Sequence, residues 1–235
     1  MLDIAEALRA ALRQIVNLDP QLIQIIALSL KVTLSAVAIA TIIGFAVGGV
    51  LAVYRFPGRG ALAVIINASM GLPPVVAGLF IYLFISNAGP LGVLQLLYTP
   101  EAMIIAQVIL VIPIIAAVTR QTCEDLLEEY REQLRSLGAS SSSIVMTLLW
   151  DGRYRLVTAV LAGFGRAIAE VGAVMIVGGN IDHVTRTMTT AIALETSKGN
   201  ISLALALGMI LLGIALTINM ALMGIRRLAS SFAYA

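Results

Sequence analysis

Val32-Thr33-Leu34-Ser35-Ala36-Val37-Ala38-Ile39-Ala40-Thr41-Ile42-Ile43-Gly44-Phe45-Ala46-Val47-Gly48-Gly49-Val50-Leu51-Ala52-Val53-Tyr54 runs without one Asp, Glu, Lys or Arg. A helix needs about 20 predominantly apolar residues to cross the roughly 30 Å hydrocarbon core of a bilayer, and this run supplies them. Gly60 to Pro100, Ala102 to Thr119 and Gly199 to Ile225 are equally free of charge, and Leu156 to Ile181 carries only Arg166 and Glu170. Five spans follow, over Val32–Val53, Ala61–Asn87, Ala102–Val118, Leu156–Val177 and Leu203–Met223. Lipid cannot satisfy free backbone groups, so spanning elements are helices or closed barrels. These runs lack the strand alternation of a barrel. The expected class is an all-α integral membrane protein.

Composition agrees. Of 235 residues, 60% are hydrophobic and 12% charged, and the mean hydropathy is +0.99; an ordinary soluble domain is about 25% charged. A net charge of +2 gives no basic footprint for nucleic acid. One cysteine, Cys123, and one histidine, His183, exclude an internal disulfide and a histidine- or cysteine-rich metal site.

Residues 1–20 read differently. Leu2, Ile4, Ala5, Leu8, Leu12, Ile15 and Val16 recur near helical spacing among Asp3, Glu6, Arg9 and Arg13. This predicts an amphipathic helix at an interface, separate from the membrane domain over 21–235. Orientation follows from basic residues in short loops. Arg55, Arg59, Arg120, Arg131, Arg135, Arg153, Arg155, Arg226 and Arg227 lie on one side of the five spans, nine against the two (Arg186 and Lys198) on the other. The nine-positive side is expected to be cytoplasmic, with the N-terminus outside and the C-terminus inside.

The one long polar stretch between spans, residues 119–154, is therefore expected to be cytoplasmic. Glu124 to Glu132 is charged and helix-favouring. Gly138 can end that helix and turn the chain. Ser140 to Ser143 can cap a second, short helix that exposes Ile144, Val145 and Leu148 on an apolar face.

Glu132-Gln133-Leu134-Arg135-Ser136-Leu137-Gly138-Ala139 resembles the EAA loop of binding-protein-dependent ABC importer permeases. The glutamate-to-glycine spacing matches; Gln133 and Leu134 replace the two alanines, and Trp150-Asp151 stands where the motif usually closes with Leu-Pro. Gly165-Arg166-Ala167-Ile168-Ala169-Glu170-Val171-Gly172, Gly178-Gly179-Asn180, and Ala193-Leu194-Glu195-Thr196-Ser197-Lys198-Gly199 resemble the oxyanion branch of that family, most of all its tungstate-type permeases. The resemblance covers about Ile25 to Met223. It implies a type I importer permease fold, a homodimer in a prokaryotic inner membrane, two cytoplasmic ATPase subunits and an external solute-binding protein. The sequence contains no Gly-x-x-x-x-Gly-Lys-Ser/Thr loop, so ATP and magnesium are expected in the partner ATPase and no cofactor or catalysis in this chain.

The resemblance also assigns sites. Glu132, Leu137, Gly138, Ala139, Ser140, Ser143 and Ile144 are expected to couple the chain to the ATPase. Pro73, Pro74, Arg166, Glu170, Gly172 and Asn180 are expected along the translocation path or gate. Pro73 and Pro74 should bend the second span. Arg166 and Glu170, four apart, should share a helix face directed at the dimer axis, because charge in a membrane is costly. Thr185, Thr187, Thr189 and Thr190 place hydroxyls at the outer mouth. A permease for molybdate or sulfate is the alternative within the oxyanion branch. One for another small solute such as methionine would share the five-span core but is disfavoured by the oxyanion-like Arg166–Glu170 region and threonine-rich mouth. An intramembrane protease is disfavoured by the loop position of His183, and a secondary transporter by the lack of a repeat.

Overall fold

A computed structural model describes residues 19–233 without a break, together with Arg9, Leu12, Arg13, Val16 and Asn17, and side chains as far as Gly224 except Leu222. The amphipathic helix expected over residues 1–20 lies outside the continuously described stretch. Every long regular element among the described residues is an α-helix: α1 Pro20–Val53, α2 Arg59–Ser69, α3 Pro74–Ile85, α4 Pro100–Ser136, α5 Ser141–Asp151, α6 Arg153–Ile168, α7 Gly172–Gly178, α8 Met188–Ser197 and α9 Ile201–Ala233. Three are each long and apolar enough to cross a membrane (α1, α4 and α9 over 201–221), and counting α2 with α3 and α6 with α7 as broken spans raises the number to five.

The breaks revise the expected spans. Pro73 and Pro74 do not kink a continuous helix. The helix stops at Ser69, Pro73 takes the extended N-cap position (φ −61°, ψ 124°), and Pro74 is the first residue of α3. Proline is suited to that position because its missing N–H has no helical partner there. The fourth span breaks at Ala169–Val171, and Glu170 lies in the break rather than on the helix. α6 therefore ends between Arg166 and Glu170. The third span instead runs past its expected end. α4 continues through Pro113 and into the charged segment as far as Ser136, because Glu124 to Glu132 are good helix formers and no breaker intervenes.

The described chain forms two compact units. The first contains α1 as far as Ser35, Pro73–Gln107 with α3, and Ile168–Ile218 with α7, α8 and most of α9. Leu22 and Ile25 pack with Met188, Ala191, Ala206 and Leu207 in its core. The second contains Ala36–Leu72, Val108–Ala167 and α9 from Asn219. Within it, α1 and α4 meet at a glycine: a Cβ on Gly48 would lie 2.6 Å from the Ala116 carbonyl oxygen. Lipid offers no hydrophobic drive for helix association, so close van der Waals contact through small residues carries the packing. Glu124 of α4 accepts from Arg120 at 3.2 Å and from Arg59 of α2 at 2.5 Å. Arg59 also donates from Nε to the Leu51 carbonyl at 2.6 Å, so one carboxylate and one guanidinium tie the end of α1 to α2 and α4.

Candidate functional site

The hairpin α4–α5 is built as the sequence indicates, by a glycine turn and a serine cap. Gly138 has φ +61°. Its N–H bonds the Arg135 carbonyl and the Ala139 N–H bonds the Leu134 carbonyl, each at 3.1 Å. This pair closes α4 as a Schellman motif. A Cβ at Gly138 would meet nothing within 4 Å, so backbone conformation, not space, selects glycine. Ser140 then caps α5: its hydroxyl accepts from the Ser143 N–H at 3.3 Å and lies 2.9 Å from the Ser143 hydroxyl.

The two sides of α5 differ from the expectation. Leu148 is 0% exposed and packs with Ala52, Cys123 and Leu126, with Ile144 against the same cluster. Val145 faces Gly49 of α1, whose Cβ would lie 3.0 Å from Val145 Cγ1. The side expected to meet a partner is thus committed to the chain's own core. The opposite side and the turn expose Leu137 (79%), Met146 (72%) and Trp150 (68%). The Arg153 guanidinium lies 4.6 Å from the Trp150 ring centroid and 4.5 Å from that of Tyr154. It also donates to the Trp150 carbonyl at 2.6 Å. This orients an exposed indole. Sequence reading missed Met146 and Trp150, which lie two residues beyond Ile144 and Leu148, on the other side of the helix. Glu132 is exposed near the end of α4.

In the first unit, α3 and α7 approach closely. A Cβ on Gly78 would lie 2.7 Å from Ala173 Cα, and one on Gly172 would lie 2.8 Å from Val75 Cγ2. Glu170 is 3% exposed. Its Oε1 accepts the Ala173 N–H at 2.9 Å, and its own carbonyl accepts from the Thr189 hydroxyl at 2.8 Å. The carboxylate thus satisfies an amide at the start of α7, and the residue ties α7 to α8.

The threonines are likewise used internally. Thr185 donates to the Gly178 carbonyl at 2.5 Å and accepts from the Ile181 N–H at 2.9 Å, closing the turn after α7. Thr187 and Thr190 form a capping box on α8. Met188 N–H bonds the Ser29 hydroxyl of α1 at 2.7 Å. Thr185, Thr187 and Thr190 are buried, so these hydroxyls are not an open lining at a mouth. Asn180 takes φ +50°; its amide nitrogen donates to the Thr190 carbonyl at 3.4 Å, and its Oδ1 is buried without a hydrogen-bond partner. Arg166 is half-buried in the last turn of α6, in the second unit. His183 is an exposed loop residue, as its sequence position suggested, with Nδ1 2.7 Å from Gln24 Oε1.

Glu195, at the end of α8, accepts from Lys198 Nζ at 3.1 Å and from the Asn200 amide at 2.9 Å. Burial alone would raise its pKa. The hydrogen bonds from Lys198 and Asn200 and the charges of Lys198 and Arg186 outweigh that, and the carboxyl sits below its usual range.

A set of apolar spans, two of them broken, with a glycine-jointed helical hairpin whose outer side presents apolar residues, fits a membrane transport subunit. The chain belongs to the family of binding-protein-dependent transport system inner membrane components, whose match covers residues 40–227. It is 41% identical, over 84% of its length and 88% of the other's, to a probable anion ABC transporter permease protein of Haloferax volcanii. It is 40% identical, over 92% and 95%, to the tungstate uptake system permease protein TupB of Peptoclostridium acidaminophilum. To the sulfate transport system permease protein CysW of Synechocystis it is 31% identical, over 77% and 67%.

Proposed function

We propose that this chain is the membrane subunit of an ATP-driven importer that moves tungstate from an external binding protein into the cytoplasm. The observation that carries the anion is the contrast among relatives: 40% identity over nearly both whole chains to a protein named for tungstate uptake, against 31% to one named for sulfate transport. In this reading two copies of the chain form the pore. α2, none of whose residues is buried within the chain, supports that pairing by leaving a whole helix for a second copy or lipid. The hairpin around Gly138 lies on the cytoplasmic face, as the nine-to-two distribution of basic residues favours, with the N-terminus outside and the C-terminus inside.

ATP hydrolysis belongs to two separate subunits that dock on the hairpin. Leu137, Met146 and Trp150 supply the buried apolar contact there, and Glu132 a charge for the partner. Closure of the ATPases moves α5, which is fixed to α1 and α4 by Leu148 and Val145, and so moves the spans. Pro73, Pro74, Gly172, Asn180 and Arg166 belong to the translocation path, where a half-buried guanidinium gives an oxyanion a charge partner. Glu170 shapes that path by holding the break in the fourth span.

The test is tungsten content, measured by mass spectrometry, in cells grown on nanomolar tungstate with and without the gene. Uptake lost on deletion and restored by the gene supports the reading; unchanged tungsten with lost sulfate or molybdate uptake would assign the alternative anion.

A further inference from the structure

The second unit contains a cavity of about 170 Å³ lined by Val53, Arg55, Leu127, Arg131, Arg135 and Ser141, with Leu134 and Ile144 completing its apolar side. Three of its residues are arginines and none is acidic. The arginines come from separate places. Arg55 follows the end of α1, Arg131 and Arg135 lie one turn apart near the end of α4, and Ser141 is the first residue of α5. Like charges brought together around one cavity repel unless something negative lies among them. Among the described residues, no carboxylate lies within 4.0 Å of any of the three; Glu124, the acidic residue nearest in the chain that holds arginines, is committed to Arg59 and Arg120. Glu128, Glu129 and Glu132 share α4 with Arg131 and Arg135 but do not line the cavity.

We propose that this cavity binds a tetrahedral oxyanion, through the guanidinium groups of Arg55, Arg131 and Arg135 and the Ser141 hydroxyl. Guanidinium forks match phosphate-like oxygens bidentately, and a serine hydroxyl adds a neutral donor. Two sources offer that chemistry: the phosphate of an anionic lipid headgroup, and a free ion such as phosphate or tungstate. The apolar floor and the position of Arg55, two residues beyond the end of a membrane-length helix, fit a headgroup with the start of its acyl chains. Basic pockets between spanning helices hold headgroups in this way. The cavity is distinct from the translocation path proposed above and does not depend on which side of the membrane the hairpin occupies.

The full chain purified in detergent provides the test. One arm measures binding of radiolabelled inorganic phosphate and of tungstate by equilibrium dialysis. The other reconstitutes the chain in nanodiscs of equal phosphatidylglycerol and phosphatidylcholine and identifies retained lipid by native mass spectrometry. Both arms compare wild type with R131Q/R135Q and with the charge-matched control R226Q/R227Q. Thermal unfolding verifies that each protein is folded, as expected for R131Q/R135Q from the exposure of both side chains. Phosphatidylglycerol retained by wild type and control but lost from R131Q/R135Q supports the proposal with a headgroup as ligand. Ion binding weakened at least about tenfold in R131Q/R135Q alone supports it with a free ion. Equal behaviour of wild type and R131Q/R135Q in both arms, or equal loss in the control, overturns it.

Discussion

The Glu170 carboxylate, in the break between α6 and α7, accepts the backbone N–H of Ala173 in the first turn of α7 at 2.9 Å. A residue chosen from the sequence for its charge therefore has a backbone task. An acceptor at this position needs an oxygen, and the amide of glutamine supplies one. Glu170→Gln is expected to retain fold and most uptake, whereas Glu170→Ala loses the cap, worth about 0.5–2 kcal/mol. Thermal stability and uptake at equal membrane levels check this. Equal damage from both substitutions would mean that the charge itself is required.

Arg166 is expected to behave in the opposite way. Arg166→Gln should insert and fold, because a neutral side chain costs less in the membrane than a charged one, yet fail to carry tungstate. Wild-type uptake by this variant at equal expression would remove Arg166 from the path.

At Gly138 the constraint is φ +61° with open space around the missing side chain. Asparagine adopts that region far more readily than alanine, and β-branched residues adopt it worst. Stability of the hairpin is expected to fall in the order Gly, Asn, Ala, Val, with Ala costing about 1–2 kcal/mol. Co-purification of the ATPase with each variant gives the functional order. Retention by Gly138→Val equal to that of Gly138→Asn would mean the turn is not what positions α5.

The two sides of α5 separate folding from docking. Leu148→Ala removes a fully buried side chain and should cost about 2–5 kcal/mol, lowering the melting temperature. Met146→Ser with Trp150→Ser changes exposed residues, so melting should change little while ATPase binding falls. Pull-down and melting on the same preparations check both halves. An unchanged pull-down for the exposed pair would place the docking surface elsewhere.

These two sides show where sequence reading runs out. Charge-free runs located the apolar helices but not their bounds: α1 ends at Val53, where the first run was expected to end, yet it begins at Pro20 rather than Val32, and α4 runs on from Val118 to Ser136. Gly138 and Ser140 were legible because turns and caps have specific backbone chemistry. The direction of α5 was not, since Ile144, Leu148, Met146 and Trp150 are all apolar and periodicity alone cannot say which side meets the chain's own core. The prolines announced a bend in the second span, and α2 and α3 meet at 107°; the break at Ile168–Gly172 has no such marker, and apolar residues flank it on both sides. The threonines at 185, 187, 189 and 190 looked available to a ligand, and only coordinates reveal that backbone groups already occupy them.

Glu195 gives a pH dependence of definite sign. Its folded carboxyl lies below the ordinary glutamate value of 4.5. Its stabilising effect is therefore fully present above that value and is lost as pH falls through the lower folded value. Wild type should be more stable than Glu195→Gln at neutral pH, and the difference should shrink below about pH 4.5. A difference that stays constant into acid would show that the Lys198 and Asn200 bonds do not depend on the charge.

The central claim is import of tungstate driven by ATP on separate subunits. Its most direct measurement uses proteoliposomes containing this chain and its ATPase, with the cytoplasmic face inside. ATP is sealed within, the binding protein and radiolabelled tungstate are added outside, and sulfate or molybdate is offered in tenfold excess. Tungstate is expected to accumulate only with internal ATP and the binding protein, to resist excess sulfate, and not to accumulate in Arg166→Gln. Accumulation without ATP, or tungstate displaced by sulfate at that excess, would contradict it.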